Sequence, residues 1–187
     1  MIGLIQKVLL ELVESEGGPE ALAEVRAKAE LAPGQDFRID TDYDDGQCLR
    51  LIRAAQSHFQ LDEEALWALY ADYFINISRR MFPMFYQVSG SARDFLKRQP
   101  AVHATLAAGL RDEDERDRVR DKFSVREQGD RLLVTYGSPN RLCGLYEALF
   151  RRLLQEYGET GQFVVERCRK RGDAACRFCL QVEAAGD

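Results

Sequence analysis

The chain has 187 residues, with 26 Lys and Arg against 31 Asp and Glu, two histidines, five cysteines and 45% hydrophobic residues. That length suits a single domain whose core can enclose a ligand-sized cavity. The net charge of −5 argues against a nucleic-acid-binding surface, and the sequence offers no apolar run near the ~20 residues that span a bilayer. We therefore expect a cytoplasmic protein whose cysteines are metal ligands or redox-active thiols rather than disulfides.

Apolar residues recur at helical spacing through the first part of the chain. The pair Gly17 and Gly18 ends the first helix, and the breaker Phe82-Pro83 separates two later ones. The charged stretch at 111–122 alternates in sign, which is typical of a solvated connection or helix face. The predicted helices cover 2–13, 19–29, 47–59, 63–81 and 92–110.

The pattern then changes to short strands. Strands are predicted over 122–127 and 131–136, a helix over 141–157, and a closing hairpin from the segments 162–169 and 176–183. Helices followed by hairpins favour an α+β fold in which helices cover one face of a small antiparallel sheet.

His103 is the histidine with the stronger signal. It shares a helical face with Leu96, Leu106 and Leu110, which places the imidazole on the buried stripe. A buried imidazole needs hydrogen-bond partners or a metal, so His103 is either a satisfied core residue or a metal ligand.

The segment from Tyr136 to Arg141 joins a strand to a helix. Hydroxyls, free backbone N–H groups and a guanidinium meet there, which suits a carboxylate or phosphate receptor. The alternative is an ordinary helix entry, with Ser138 as N-cap and Pro139 at the first helical position.

Four of the five cysteines fall in the last quarter of the chain. Thiolates on a helix start and a nearby hairpin suit a tetrahedral Zn²⁺ site, with small buried hydrophobic residues or redox thiols as alternatives. Strand alternation points the last of them to the opposite face unless a bulge intervenes. The four candidate ligands are Cys143, Cys168, Cys176 and Cys179, and Cys48 is expected to be structural.

Several segments together resemble one family. These are the opening MIGLIQKVLLELV, the central NISRRMFPMF, the segment FLKRQPAVHATL and the closing YGSPNRLCGLYEAL. In this order they resemble the heme nitric oxide/oxygen binding (H-NOX) domain of the bacterial stand-alone type. The resemblance implies one domain over 1–187, with a helical subdomain over about 1–65 and a heme-enclosing α+β subdomain over about 66–187.

The resemblance also implies site residues. His103 matches the proximal ligand of heme b iron. Tyr136 and Ser138 match two positions of a Tyr-x-Ser-x-Arg clamp for the heme propionates, but Asn140 stands at the arginine position, with Arg141 one place late. The proline that commonly presses on the heme is also not identifiable after the proximal helix. The expected distal wall is apolar and consists of Ile5, Leu9, Phe74, Leu145 and Leu149.

The function that the resemblance implies is a sensor rather than an enzyme. Leu145 stands where O2-binding members offer a tyrosine, so we expect a sensor of NO and CO with little O2 affinity. A one-residue insertion before Arg141 would bring Tyr146 to that position instead. The resemblance further implies release of His103 on NO binding, and signalling to a histidine kinase or a cyclic-dinucleotide enzyme. It also favours structural zinc at the cysteines.

Two other functions fit parts of the sequence. The pattern CRKRGDAACRF is also close to that of a heme-free, small-ligand-binding domain of the four-vinyl-reductase type. The cysteine cluster alone would suit a zinc and thiol redox sensor.

Overall fold

The computed structural model describes residues 1–184, in which seven α-helices, one short 3-10 helix at Arg169–Arg171 and four strands form an α+β fold, as the sequence predicts. Aspartate or serine side chains cap four of the helices: Asp44, Asp62, Ser91 and Asp112 each accept a hydrogen bond from a backbone N–H of the first turn. None of the described helices is both long and apolar enough to cross a membrane. The helices are α1 Leu4–Lys28, α2 Asp45–Phe59, α3 Glu63–Met81, α4 Pro83–Gln87, α5 Ala92–Ala107, α6 Glu113–Arg120 and α7 Cys143–Tyr157.

Helix α1 combines the two helices predicted for this region. Its direction changes at Gly18, whose φ of 74° and ψ of −175° are non-helical, and Pro19 begins the second part. Glycine adopts this conformation without a Cβ clash, and proline is favoured in the first turn of a helix. The two predicted helices are therefore consecutive parts of one kinked element.

The strands form one antiparallel sheet in the order β1-β2-β4-β3. Alternate residues of the two central strands are buried, among them Leu132 and Val134 of β2 and Phe178 and Leu180 of β4. The other face of these strands is more exposed, as expected for a sheet covered on one side. The strands are β1 Phe123–Gln128, β2 Arg131–Tyr136, β3 Glu159–Arg167 and β4 Cys176–Ala184.

Helix α7 connects two hydrophobic clusters. Leu145 belongs to a cluster formed mainly by α1, α2 and α3, whereas Tyr146 and Phe150 belong to a second cluster with the sheet. Adjacent residues of a helix point in directions about 100° apart, so one helix can contribute to both. The cavity described below lies where these two clusters meet.

Gly161 of β3 lies close to the backbone of β4. A Cβ at this position would collide with the carbonyl oxygen of Gln181 and would lie 3.2 Å from Cδ1 of Leu154. We expect Gly161→Ala to lower the free energy of unfolding by about 1–3 kcal/mol, because the paired strands must shift. Urea titration tests this, with Gly90→Ala as control, since the nearest neighbour of a Cβ there is at 3.7 Å. Equal stability of the two variants would contradict the expectation.

Candidate functional site: an apolar cavity beside His103

A cavity of about 210 Å³ lies among α1, α3, α5, α7 and β1. Its walls are almost entirely apolar or aromatic, so water gains few hydrogen bonds inside it. A small number of polar groups in an apolar pocket is typical of ligand sites. The polar side chains of the lining are Gln99, His103, Lys122 and the hydroxyls of Tyr86, Tyr136 and Tyr146.

His103 faces this cavity from α5. Its Nδ1 atom is buried and has no hydrogen-bond partner among residues 1–184. Burial, aided by the positive charge of Lys122, lowers the pKa of His103 to about 4. The imidazole is therefore neutral near pH 7, which is the form that ligates metals. The prediction that His103 is inward-facing is met, and its side chain is not the satisfied core histidine of the alternative.

Aromatic rings occupy part of the cavity beside His103. The ring centroid of Phe123 lies 4.7 Å from that of His103, and 4.9 and 5.3 Å from those of Tyr136 and Tyr146. We call His103, Phe123 and Tyr146 the aromatic stack. Ligand pockets typically have volumes of about 300–1,000 Å³, so this cavity is smaller than most, and all three residues of the stack belong to its lining.

Four of the five residues expected in the distal wall line the cavity: Ile5, Phe74, Leu145 and Leu149. The fifth, Leu9, does not line it; it is fully buried in the cluster formed by α1, α2 and α3. The family resemblance predicts Leu9 in the distal wall, one helical turn after Ile5. In the structure it packs against other helices instead, and this packing keeps it away from the cavity.

Tyr146 also lines the cavity, but its hydroxyl is already engaged. It donates a hydrogen bond to Oε1 of Gln99 on α5, at 2.9 Å. Gln99 stands one turn before His103, so the only polar atom of Tyr146 is directed toward the helix that carries His103. Leu145 faces the α1 side of the cavity, where it brings no hydrogen-bond donor.

The segment from Tyr136 to Arg141 contributes less to the cavity than its sequence suggests. Tyr136 lines the cavity, whereas Ser138 is buried and does not line it. The Oγ atom of Ser138 accepts a hydrogen bond from the backbone N–H of Asn140 at 3.3 Å. Asn140 interacts with Asp45. Arg141 is exposed with a left-handed φ of 56°, which delays the start of α7 to Cys143. Ser138, Asn140 and Arg141 thus do not line the cavity, and their expected contact with heme propionates stays a prediction.

Lys122 is a cavity residue that the sequence reasoning missed. It immediately precedes β1, and its carbonyl oxygen accepts a hydrogen bond from the Gly137 amide at 2.9 Å. The sequence predicts that the strands over 122–127 and 131–136 pair as a hairpin, and the observed register, with Phe123 opposite Tyr136, places position 122 beside the Tyr136–Ser138 segment. That register is the signal that could have identified it.

Three of the four candidate zinc ligands come together. The Sγ atoms of Cys143, Cys168 and Cys176 lie within 4.8 Å of one another, and those of Cys143 and Cys168 are 3.6 Å apart. We call these three residues the thiol cluster. Cys179 lies on the opposite face of β4, as strand alternation requires, so its expected place in the cluster is corrected.

The thiols of the cluster differ in acidity. Burial, together with the neighbouring Cys168 thiol, raises the pKa of Cys143 to about 12. Burial also opposes ionisation of Cys168, but a hydrogen bond from the Lys170 amide and others from the cluster outweigh it and lower its pKa. Cys168 is thus the thiol most easily ionised, and thiolates are the form that binds zinc.

A family model described as haem-NO-binding matches residues 2–165 of the chain. The chain is also 26% identical over 105 residues to the soluble guanylate cyclase gcy-37 of Caenorhabditis elegans. That match covers 55% of this chain and only 15% of the worm protein.

Solved structures show the same fold. An H-NOX protein from S. oneidensis in the Fe(II)NO ligation state matches 98% of this chain and 99% of its own, with a TM-score of 0.81 and 14% identity. An oxygen-binding H-NOX domain related to soluble guanylate cyclases matches 100% of this chain and 96% of its own, with a TM-score of 0.74 and 14% identity.

Proposed function

Because the chain belongs to the haem-NO-binding family, we propose that it is a heme-based gas sensor in which His103 would hold the iron. The observation that carries the proposal is the neutral imidazole of His103, with its unpartnered Nδ1, beside an apolar cavity. A ferrous heme would supply an open coordination position for NO, CO or O2. The chain would supply the axial nitrogen, a dry surrounding and the anchoring of the macrocycle.

The residues present fit a heme. The neutral imidazole offers a lone pair, the apolar walls suit a porphyrin face, and Lys122 and Tyr136 add a cation and a hydroxyl to the lining. The absorption spectrum of the reduced, heme-supplemented protein, with and without NO, tests the proposal. We expect a Soret band that shifts with NO. A spectrum with no Soret band would refute heme binding and favour a heme-free, small-ligand domain.

We also propose selectivity for NO and CO over O2. Apolar side chains form the cavity wall on the side of α1, and the Tyr146 hydroxyl is bonded to Gln99 instead. A wall without a hydrogen-bond donor gives no support to a polarised ligand such as O2, whereas the less polar NO and CO hardly need it.

Leu145→Tyr should therefore create O2 binding. We expect the reduced wild-type protein to give no stable oxygenated spectrum in air. A hydroxyl at position 145 should slow O2 dissociation roughly 10-fold or more, since hydrogen bonds to charged groups contribute about 1.5–3 kcal/mol. Stopped-flow mixing with CO measures the rate. Tyr146→Phe is the control, and a stable wild-type oxygen complex that this substitution abolishes would overturn the assignment to Leu145.

For signalling, we propose that His103 would hold the heme iron until a gas binds, and that its release would free α5. Helix α5 packs on α6 and β1, so its movement would change the surface that these elements present. The chain corresponds to a small part of the worm cyclase, which supports output through another module. We propose a separate histidine kinase or cyclic-dinucleotide enzyme as the partner of this chain.

We further propose that the thiol cluster binds a structural zinc ion. Three sulfur atoms from a helix start and both sides of a hairpin turn meet at metal-ligand spacing, and the Arg169 amide donates to Cys176 Sγ at 3.4 Å. Peroxide treatment of heme-free protein tests the alternative of a redox sensor, in which zinc loss and thiol oxidation would change partner binding.

A further inference from the structure

Lys122 lies beside the segment that the family resemblance links to heme binding. The hydrogen bond from the Gly137 amide to the Lys122 carbonyl fixes the lysine directly across from the stretch between Tyr136 and Ser138. Its side chain lines the same cavity as His103 and Tyr136. The backbone of Lys122 is therefore fixed beside that of Gly137, and the side chains of Lys122 and Tyr136 both line the cavity.

The Lys122 ammonium group lacks a direct partner. Within residues 1–184 it makes no ion pair within 4.0 Å and no hydrogen bond, and burial lowers its pKa despite the attraction of Asp45 and Asp42. Those two carboxylates are engaged elsewhere. Asp42 bonds Arg118 at 3.3 Å, Asp45 interacts with Asn140, and both contact the Met1 amino group. Lys122 is half-buried, and an anion bound beside its ammonium would offset the cost of this partial burial.

The residues near the arginine position of the pattern do not supply a cation to the cavity. Asn140 stands at that position and is uncharged, and Arg141 is exposed and absent from the lining. Of the side chains that line the cavity in the described part of the chain, Lys122 is the one with a formal charge. A heme carries two propionate carboxylates, and carboxylates at an apolar cavity need a positive or hydrogen-bonding partner.

We propose that Lys122 binds a heme propionate and so takes the role that the missing arginine of the Tyr-x-Ser-x-Arg pattern would have. This rests on the proposed heme function. The ammonium forms a point-charge ion pair rather than a two-pronged guanidinium bond, and Tyr136 adds a hydroxyl to the lining of the same cavity. The pairing neutralises both groups within the apolar surroundings.

The rate of heme transfer from the reconstituted protein to excess apomyoglobin tests this, and it needs no gas-binding or signalling activity. We expect Lys122→Met to lose heme roughly tenfold faster than the wild type and Lys122→Arg to restore most of the retention. Lys97→Met, at an exposed position of α5, should match the wild type. Urea unfolding of the heme-free Lys122→Met variant should show unchanged or higher stability, because an unpaired charge is removed.

Heme dimethyl ester separates a charge effect from a structural one. It has no carboxylates, so wild type and Lys122→Met should release it at equal rates. A difference that persists with the ester, or equal rates with ordinary heme, would overturn the proposal. Faster loss from Arg141→Met but not from Lys122→Met would also overturn it, by assigning the role to Arg141. If the wild type binds no heme at all, the proposed function fails, and this role of Lys122 with it.

Discussion

Replacing His103 with glycine should remove the native spectrum of the reduced, heme-supplemented protein. The imidazole is the one neutral nitrogen donor that faces the cavity within residues 1–184, and glycine leaves the iron without this ligand. We expect heme transfer to apomyoglobin to become at least roughly tenfold faster, since loss of even an indirect metal contact can reduce affinity 10- to 100-fold. Absorption spectroscopy and transfer kinetics measure both effects.

Free imidazole provides the sharper test of His103. Glycine at 103 leaves room for the ring that the substitution removes, so millimolar imidazole should restore the spectrum without a covalent link to α5. His58→Ala is the matched control, because His58 lies outside the cavity and bonds Glu24 Oε2 at 2.9 Å. An unchanged spectrum and NO response in His103→Gly would refute the ligand assignment. The rescued protein should bind NO yet fail to signal, because α5 no longer follows the ligand.

Replacing Cys168 with serine should remove zinc and a large share of the stability. We expect about one zinc ion per wild-type chain and almost none in Cys168→Ser, because a hydroxyl is a poor zinc ligand. Structural zinc contributes directly to folding, so we expect a loss of at least about 3 kcal/mol, or roughly 6–12 °C in Tm at this chain length. Elemental analysis after chelator-free purification and thermal unfolding measure the two effects.

Cys179→Ser is the control for the thiol cluster. Cys179 lies on the other face of β4, so this variant should keep its zinc and its Tm. Zinc loss from Cys179→Ser, or a wild-type protein without zinc, would contradict the site proposed for Cys143, Cys168 and Cys176.

Local patterns were enough to predict elements with clear end signals. Helix α3 has the predicted bounds because Asp62 caps its start and Phe82-Pro83 ends it, and β2 has the predicted bounds as well. The charged stretch after α5, predicted as a connection or helix face, contains α6. Asp112 caps that helix, and Val119 anchors it in the core. A single apolar residue among charged neighbours gives a weak periodic signal, which explains why the sequence did not decide between a connection and a helix here.

The site was harder to predict where it depends on contacts between elements. His103 could be identified because helical spacing alone decides which way it faces. Leu9 and Lys122 could not, since their positions depend on how α1 packs and on which residue lies across the hairpin. Cys179 is an intermediate case, in which the alternation of β4 indicated the opposite face and the family resemblance favoured the cluster.

In the aromatic stack, contacts within the heme-free protein compete with heme binding. A flat ligand that reaches the imidazole of His103 competes with Phe123 for contact with it, and Phe123 also packs against Tyr146. Aromatic pairs contribute about 0.5–1.5 kcal/mol each, so opening two of them would lower the apparent heme affinity by roughly 5- to 150-fold. The same contacts give the heme-free chain a filled interior. Phe123→Ala should therefore bind heme more tightly, and its heme-free form should unfold more easily than the heme-free wild type.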